Sequence, residues 1–386
     1  MSPPRRQACL IADDRYRAHR YAANHPLAIP RVSLTLDLIR AYDALSESEY
    51  LPSPQATVAQ LQQFHTTDYI AAMQTIEAEG VVRSEFRQRH NLGTLENPFF
   101  PGFFTTPATA TGGSIAAAEQ VIAGRTAFSP AGGMHHAMPD QAHGFCFFND
   151  PVLAVKRLRA EGWRVIYLDI DAHHGDGVEF AFADDPQVLT VSLHMDTEYA
   201  YPFKGGDLGD SGALGNAVNL PLPRHTHDDE YEFVFSQLWP RVLESFAADA
   251  VVLQAGTDML TPDPLGKFRI STQQFLRVVD QVIQSAPRGD NNVPRLAVLG
   301  GGGYHPLALA RCWTGVWGLL SGRDLASELP EQGKQLLQAV DWDDDEDEDY
   351  YANLFVSRLD QPSGGDVREE VRLRLTQLLT SHPLFQ

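Results

Sequence analysis

Between residues 150 and 320 apolar, β-branched stretches of four to seven residues alternate with amphipathic stretches of helical period, and no break in composition interrupts them. Strands predicted over 164–170, 188–194, 250–255 and 295–299 are separated by helices predicted over 178–182, 228–246 and 272–285, with others over 151–161 and 306–320. Alternation of this kind predicts a parallel sheet covered by helices on both faces. Upstream, 8–12 reads as a first strand, and 33–44 (capped by Ser33), 57–64, 67–78 and 106–123 as helices. Segment 81–104, rich in Gly, Pro and aromatics, reads as a surface loop shaping a cleft. No repeat or linker appears before residue 341. The expectation is one α/β domain spanning 1–386. It includes a solvated acidic loop at 341–349 and a helical C-terminal cover over 350–386, whose last helix falls at 371–379.

Composition narrows the function. A formal net charge of −20 argues against direct nucleic-acid or anionic-membrane binding. Three scattered cysteines, Cys9, Cys146 and Cys312, make neither a CxxC pair nor a disulfide framework. The apolar run after the basic start is too short for a signal peptide, and no run is long enough to span a membrane. A cytoplasmic enzyme is the expectation.

Chemistry concentrates where predicted strands end. The strand over 164–170 runs into Asp169-Ile-Asp171-Ala-His173-His174-Gly175-Asp176-Gly177. In open α/β sheets ligands sit beyond the carboxyl ends of strands. If the backbone stays extended, Asp171 and His173 leave it on one face, an O/N pair suited to Zn²⁺. Asp258, at the end of the 250–255 strand, is the candidate third ligand. Three protein ligands with an open position are the catalytic zinc pattern, whereas structural sites are closed by four. The run Gly300-Gly-Gly-Gly303 lets the backbone approach a ligand closely and delivers Tyr304, a phenol able to stabilise an oxyanion. Gly132-Gly-Met-His135-His136 supplies a tandem pair for acid–base work. Asp169 and Asp176 are the spare carboxylates, one to orient each histidine.

Taken together, these motifs resemble the zinc-dependent histone deacetylase superfamily. They include Gly144-Phe-Cys-Phe-Phe-Asn-Asp150, Val191-Ser192-Leu193-His194 and Ala255-Gly-Thr-Asp258, and they occur in the family's order over 31–317. His25-Pro-Leu-Ala-Ile-Pro-Arg31 and Phe64-His65-Thr-Thr-Asp-Tyr69-Ile look closest to the bacterial acetoin-utilisation branch, which is similar to class I deacetylases. The resemblance implies the arginase/deacetylase fold, with a central eight-stranded parallel sheet. It implies zinc on Asp171, His173 and Asp258, His136 as the base for water, Asp169 orienting His135, Asp176 orienting His136, and Tyr304 polarising the acyl carbonyl. It also implies a potassium ion held by Asp169, Asp171 and Ser192 with carbonyls of His173 and Leu193. Gly144, Phe145 and Tyr201 would line an acyl-lysine channel, with Tyr201 standing where the family usually has Phe. Glu96 would match a rim carboxylate that holds substrate backbone, and Arg31 would help acetate leave.

The function implied is removal of acetyl or other short acyl groups from lysine side chains of proteins or peptides. A dinuclear ureohydrolase would need carboxylates where this chain has Gly175 and Leu260. An acetylpolyamine amidohydrolase is the nearer alternative. Polyamine-selective relatives place an acid at the channel mouth, and the matching residue here is Leu265, although Asp263 is close by. A catalytically inactive acyl-lysine-binding scaffold is the alternative from another class.

Overall fold

The computed structural model describes residues 7–18, 21, 25–342 and 353–386. Its centre is one eight-stranded sheet: β1 (Ala8–Ala12), β2 (Tyr50–Pro52), β3 (Thr126–Ser129), β4 (Val165–Asp169), β5 (Val188–Met195), β6 (Ala217–Leu222), β7 (Ala250–Gln254) and β8 (Leu296–Leu299). The order across the sheet is β2-β1-β3-β8-β7-β4-β5-β6, and every pairing is parallel. β4 is buried at all five positions, as expected of a parallel strand covered on both faces.

Side chains alternate between two apolar layers. Ile166 and Leu168 join one layer with helices Asp228–Phe246, Thr272–Ser285 and Pro306–Ser321. Val165 and Tyr167 join the other with helices Thr105–Ile122, Asp150–Arg159 and Asp176–Phe182. The indoles of Trp313 and Trp317 are fully buried, and their N–H groups donate to the carbonyls of Ala255 and Ala44. That pairing lets each ring contribute its apolar area without leaving a buried donor unsatisfied.

The topology places a crevice. From β4 the chain moves outward to β5 and β6, then returns to β7 on the other side of β4 and continues to β8. The loops leaving β4 and β7 therefore diverge at adjacent strand ends, the switch point where α/β sheets bind ligands.

Several expectations need correction. β2, β3 and β6 were not legible as strands. β2 is three residues ending in Pro52, and β6 carries Asn219 and Pro221. Both are sheet edges, where a missing N–H is tolerated. Segment 81–104 holds a helix, Ser84–His90. The helix expected from Ser33 starts at Arg31 and has no side-chain cap, and that expected over 57–64 shortens to Val58–Leu61. The last long helix is Glu369–Ser381. Most of the acidic run, 343–349, lies outside the described residues. No helix of the described residues is long and apolar enough to cross a membrane.

Candidate active site

β4 ends at Asp169 and the chain bends at once. Asp169 Oδ1 accepts from the Asp171 N–H (3.0 Å), and Asp171 Oδ1 accepts from the His173 N–H (2.9 Å). These are successive side-chain turns, in which an Asp bonds the backbone two residues on. Residues 171–173 are thus bent, not extended, which corrects the geometry expected for them. β7 delivers Asp258, whose Oδ1 accepts from the Ala172 N–H (2.9 Å). His173 Nδ1 then lies 2.9 Å from Asp258 Oδ2 and 3.2 Å from Asp171 Oδ1. One ligand atom from each of the three residues falls within 4.8 Å of the others, and all three residues are buried.

Two buried carboxylates beside one imidazole call for a cation. Among the described residues no Lys or Arg pairs with either; their ion-pair partners are histidines. Burial and then Asp171 raise the Asp258 pKa. For Asp171, burial is outweighed by His135 and His173, which pull it down. The donor set of two carboxylate oxygens and one imidazole nitrogen fits a divalent zinc ion.

The glycines close the site from the other side. The Gly302 N–H donates to Asp171 Oδ2 (2.6 Å), and a Cβ at Gly302 would lie 1.9 Å from Asp258 Oδ2. Gly301 and Gly303 take φ of +120° and +131°, which side-chain-bearing residues rarely adopt. Next to them, Asp263 Oδ2 accepts from the Tyr304 N–H (2.7 Å) while its Oδ1 accepts from the N–H groups of Leu265 and Gly266. Asp263 is buried and holds the backbone that carries Tyr304, so it is not an acid at the channel mouth.

The tandem histidines each meet a carboxylate. His135 Nδ1 lies 2.8 Å from Asp169 Oδ2, and His136 Nδ1 lies 2.7 Å from Asp176 Oδ1. Burial disfavours a charged His135, but Asp169 and Asp171 overcome it and hold its pKa at about 9. Burial and then His135 push His136 down to about 3 despite Asp176. Unequal environments within one pair are what acid–base chemistry requires. The loop bearing them is pinned by residues that sequence reasoning did not assign. Asp150 accepts from the N–H groups of Gly133 and Met134 (2.8 Å each), and Gln254 Nε2 donates to the Gly133 carbonyl (2.7 Å). The Tyr167 hydroxyl donates to Asp169 (2.7 Å). Asp150 sits in the 144–150 motif, and Gln254 and Tyr167 are polar interruptions of otherwise apolar strands; those were the available signals.

A channel of about 240 Å³ opens onto this group, lined by Phe145, Tyr201, Leu265, Glu96, Gly144 and Tyr304, with His136 and His173 at its inner end. Phe145 and Tyr304 rings meet edge to face at 6.0 Å. A Cβ at Gly144 would lie 2.5 Å from His136 and 2.6 Å from Tyr201, so only glycine leaves the channel its width there. Glu96 is already engaged: Oε1 accepts from the Gly144 N–H (2.9 Å) and Oε2 from Asn91 (2.9 Å). The Tyr201 hydroxyl neighbours Glu96 electrostatically but has no hydrogen-bond geometry to it. Arg31 is buried, donates to the Gly303 carbonyl (3.1 Å), lies over Trp313 and lines a separate cavity of about 90 Å³. Asp169 and Ser192 are register partners across β4 and β5, with Leu193 next in the strand. The Ser192 hydroxyl pairs with His194 Nδ1 at 2.8 Å.

The family described as histone deacetylase domain matches residues 25–320. Human histone deacetylase 1 is 37% identical over 333 residues, covering 84% of this chain and 67% of its own length. Histone deacetylase 8 of Xenopus tropicalis is 37% identical over 307 residues, or 78% of this chain and 80% of its own. Among solved structures, an HDAC homolog from Aquifex aeolicus superposes with a TM-score of 0.91 at 38% identity, covering 97% of this chain and 100% of that one. An HDAC homolog complexed with SAHA gives 0.91 at 39%, with the same coverage.

Proposed function

The chain belongs to the histone deacetylase family, and from that membership together with the site we propose that it is a zinc-dependent hydrolase of acyl-lysine side chains in proteins or peptides. One observation carries the reading: a buried Asp171–His173–Asp258 group, a carboxylate-paired His136 and Tyr304 meet at the inner end of one channel. The whole chain is read as one catalytic domain.

Zinc held by Asp171, His173 and Asp258 would polarise the acyl carbonyl and acidify an attacking water. The protein's own groups do the rest. Phe145 and Tyr201 flank the apolar lysine stem and exclude water around the amide. His136, neutral and oriented by Asp176, takes the proton of the water as its oxygen attacks. The Tyr304 hydroxyl donates to the oxyanion that develops on the carbonyl. The histidine pair then returns a proton to the lysine amine as the C–N bond breaks. Arg31 and the cavity beside it give the released acetate a way out. Asp169, Asp171 and Ser192, with the carbonyls of His173 and Leu193, are the proposed potassium ligands under the site.

Leu265 at the mouth and the fully committed Asp263 support acyl-lysine over acetylpolyamine, since neither offers a free charge to a second amine. Measuring acetate release from an acetyl-lysine peptide and from acetylspermidine tests this. Faster turnover of the peptide is expected; the reverse order would reassign the substrate.

A further inference from the structure

Beside His135 and His136 stands a third imidazole that the reaction as described does not use. His143 begins the tight turn His143-Gly144-Phe145-Cys146. Its N–H donates to the Cys146 carbonyl (3.0 Å), and the Cys146 N–H donates back (2.9 Å). Gly144 and Phe145 take φ of +53° and +68°, the mirror-image turn with two left-handed central residues. One turn therefore sets both Phe145, in the channel wall, and His143 behind it. The His143 ring packs on Tyr201 at 5.2 Å and stands 6.4 Å from the ring of His136.

The nitrogen of His143 is aimed at the carboxylate that orients His136. His143 Nδ1 lies 3.5 Å from Asp176 Oδ2. Both atoms are closed to solvent, and neither has a hydrogen-bond partner. The other oxygen, Oδ1, has two neighbours that can donate to it, His136 Nδ1 at 2.7 Å and the Gly177 N–H at 3.0 Å. A buried carboxylate oxygen left without a donor is costly. His143 is the imidazole placed to supply one. The separation exceeds the about 2.7–3.2 Å of a formed bond, as is common for catalytic hydrogen bonds before substrate enters. A lysine stem between Phe145 and Tyr201 would press on the ring against which His143 rests. Electrostatics agree: burial opposes an ionised Asp176, while His136 and then His143 hold its pKa below the ordinary range.

We propose that His143 is a positioning residue for the base, donating to Asp176 Oδ2 so that the carboxylate stays fixed against His136 through the proton transfer. The inference rests on His136 acting as the base. It differs from a packing role for the ring, which a phenyl group would fill.

The test compares the zinc-loaded wild type with His143→Phe and His143→Gln on an acetyl-lysine peptide. His143→Phe keeps a planar ring and removes both nitrogens; it should lower kcat about tenfold, with KM and the melting temperature little changed. His143→Gln restores a donor and should recover most of the loss. In an Asp176→Asn background, His143→Phe should cost nothing further, because its route of action is already gone. An unchanged kcat in His143→Phe, a loss that Gln does not recover, or full additivity with Asp176→Asn would each overturn the assignment while leaving an active hydrolase. A wild-type chain inactive on every acyl-lysine peptide would instead remove the base role of His136, and His143's role with it.

Discussion

Tyr304 has its backbone anchored by Asp263 and its ring set against Phe145 at the inner end of the channel. Tyr304→Phe removes only the hydroxyl. It is expected to lower kcat by about 10²–10³ while metal content stays at one zinc per chain; a variant as fast as wild type takes Tyr304 out of the reaction. Gly302→Ala acts differently. Its new Cβ would fall 1.9 Å from Asp258 Oδ2, so a ligand must move. The folded variant is expected to bind zinc at least tenfold more weakly, as read by metal competition, and full affinity would show that the glycine is not needed for close approach. At this scale the sequence was most legible where a residue type is chemically rare in its setting: adjacent histidines after Gly-Gly, Asp beyond strand ends, Tyr after four glycines. It was least legible for Asp150, Gln254 and Asp263, which hold backbone groups of Gly133, Met134 and Tyr304. Those partners are set by the tertiary fold.

Among the elements, the long buried strands and helices followed from their periodicity, while the two edge strands and one short inner strand did not. Thr126–Ser129 offers four residues, too few for a period, and becomes a strand because β1 and β8 flank it. The bend at 171–173 also escaped prediction, since it depends on Asp169 and Asp171 bonding the backbone ahead of them. The β2 edge is tied down by the short helical turn before it. Glu49 accepts two bonds from Arg323 (2.8 and 2.7 Å) just past helix Pro306–Ser321. Burial opposes the charged carboxylate, but Arg323 and Ser46 hold its pKa at about 2. Because that lies below the unfolded value, the pair stabilises the fold above roughly pH 4.5 and the contribution is lost as pH falls toward 2. Glu49→Gln should therefore cost about 1–2 kcal/mol at neutral pH. The difference in urea midpoint should narrow below roughly pH 4; an equal gap at both pH values would show that the ion pair is not its source.

For the whole molecule, the sheet order explains why one site forms. β4 and β7 are neighbours whose loops part in opposite directions, and they bring Asp171 and Asp258 together across 86 residues of chain. Sequence alternation announced a parallel sheet and family resemblance its eight strands, but neither gave the order of those strands, because periodicity says nothing about which strands are neighbours. Two buried carboxylates at that junction should make the fold itself responsive to metal. Stripping zinc should lower the melting temperature by several degrees and restoring it should reverse the loss, since an ion bound only by the folded chain stabilises that state. A melting temperature indifferent to zinc would place the ion elsewhere.

The central claim is that one zinc ion at Asp171, His173 and Asp258 makes this channel a hydrolase of acyl-lysine. The most direct measurement is acetate release from an acetyl-lysine peptide as zinc is titrated into metal-stripped protein. The account predicts no release at the start and a linear rise that saturates at one equivalent of zinc per chain. Release that persists without metal, or none at one equivalent on any acyl-lysine peptide, would contradict it.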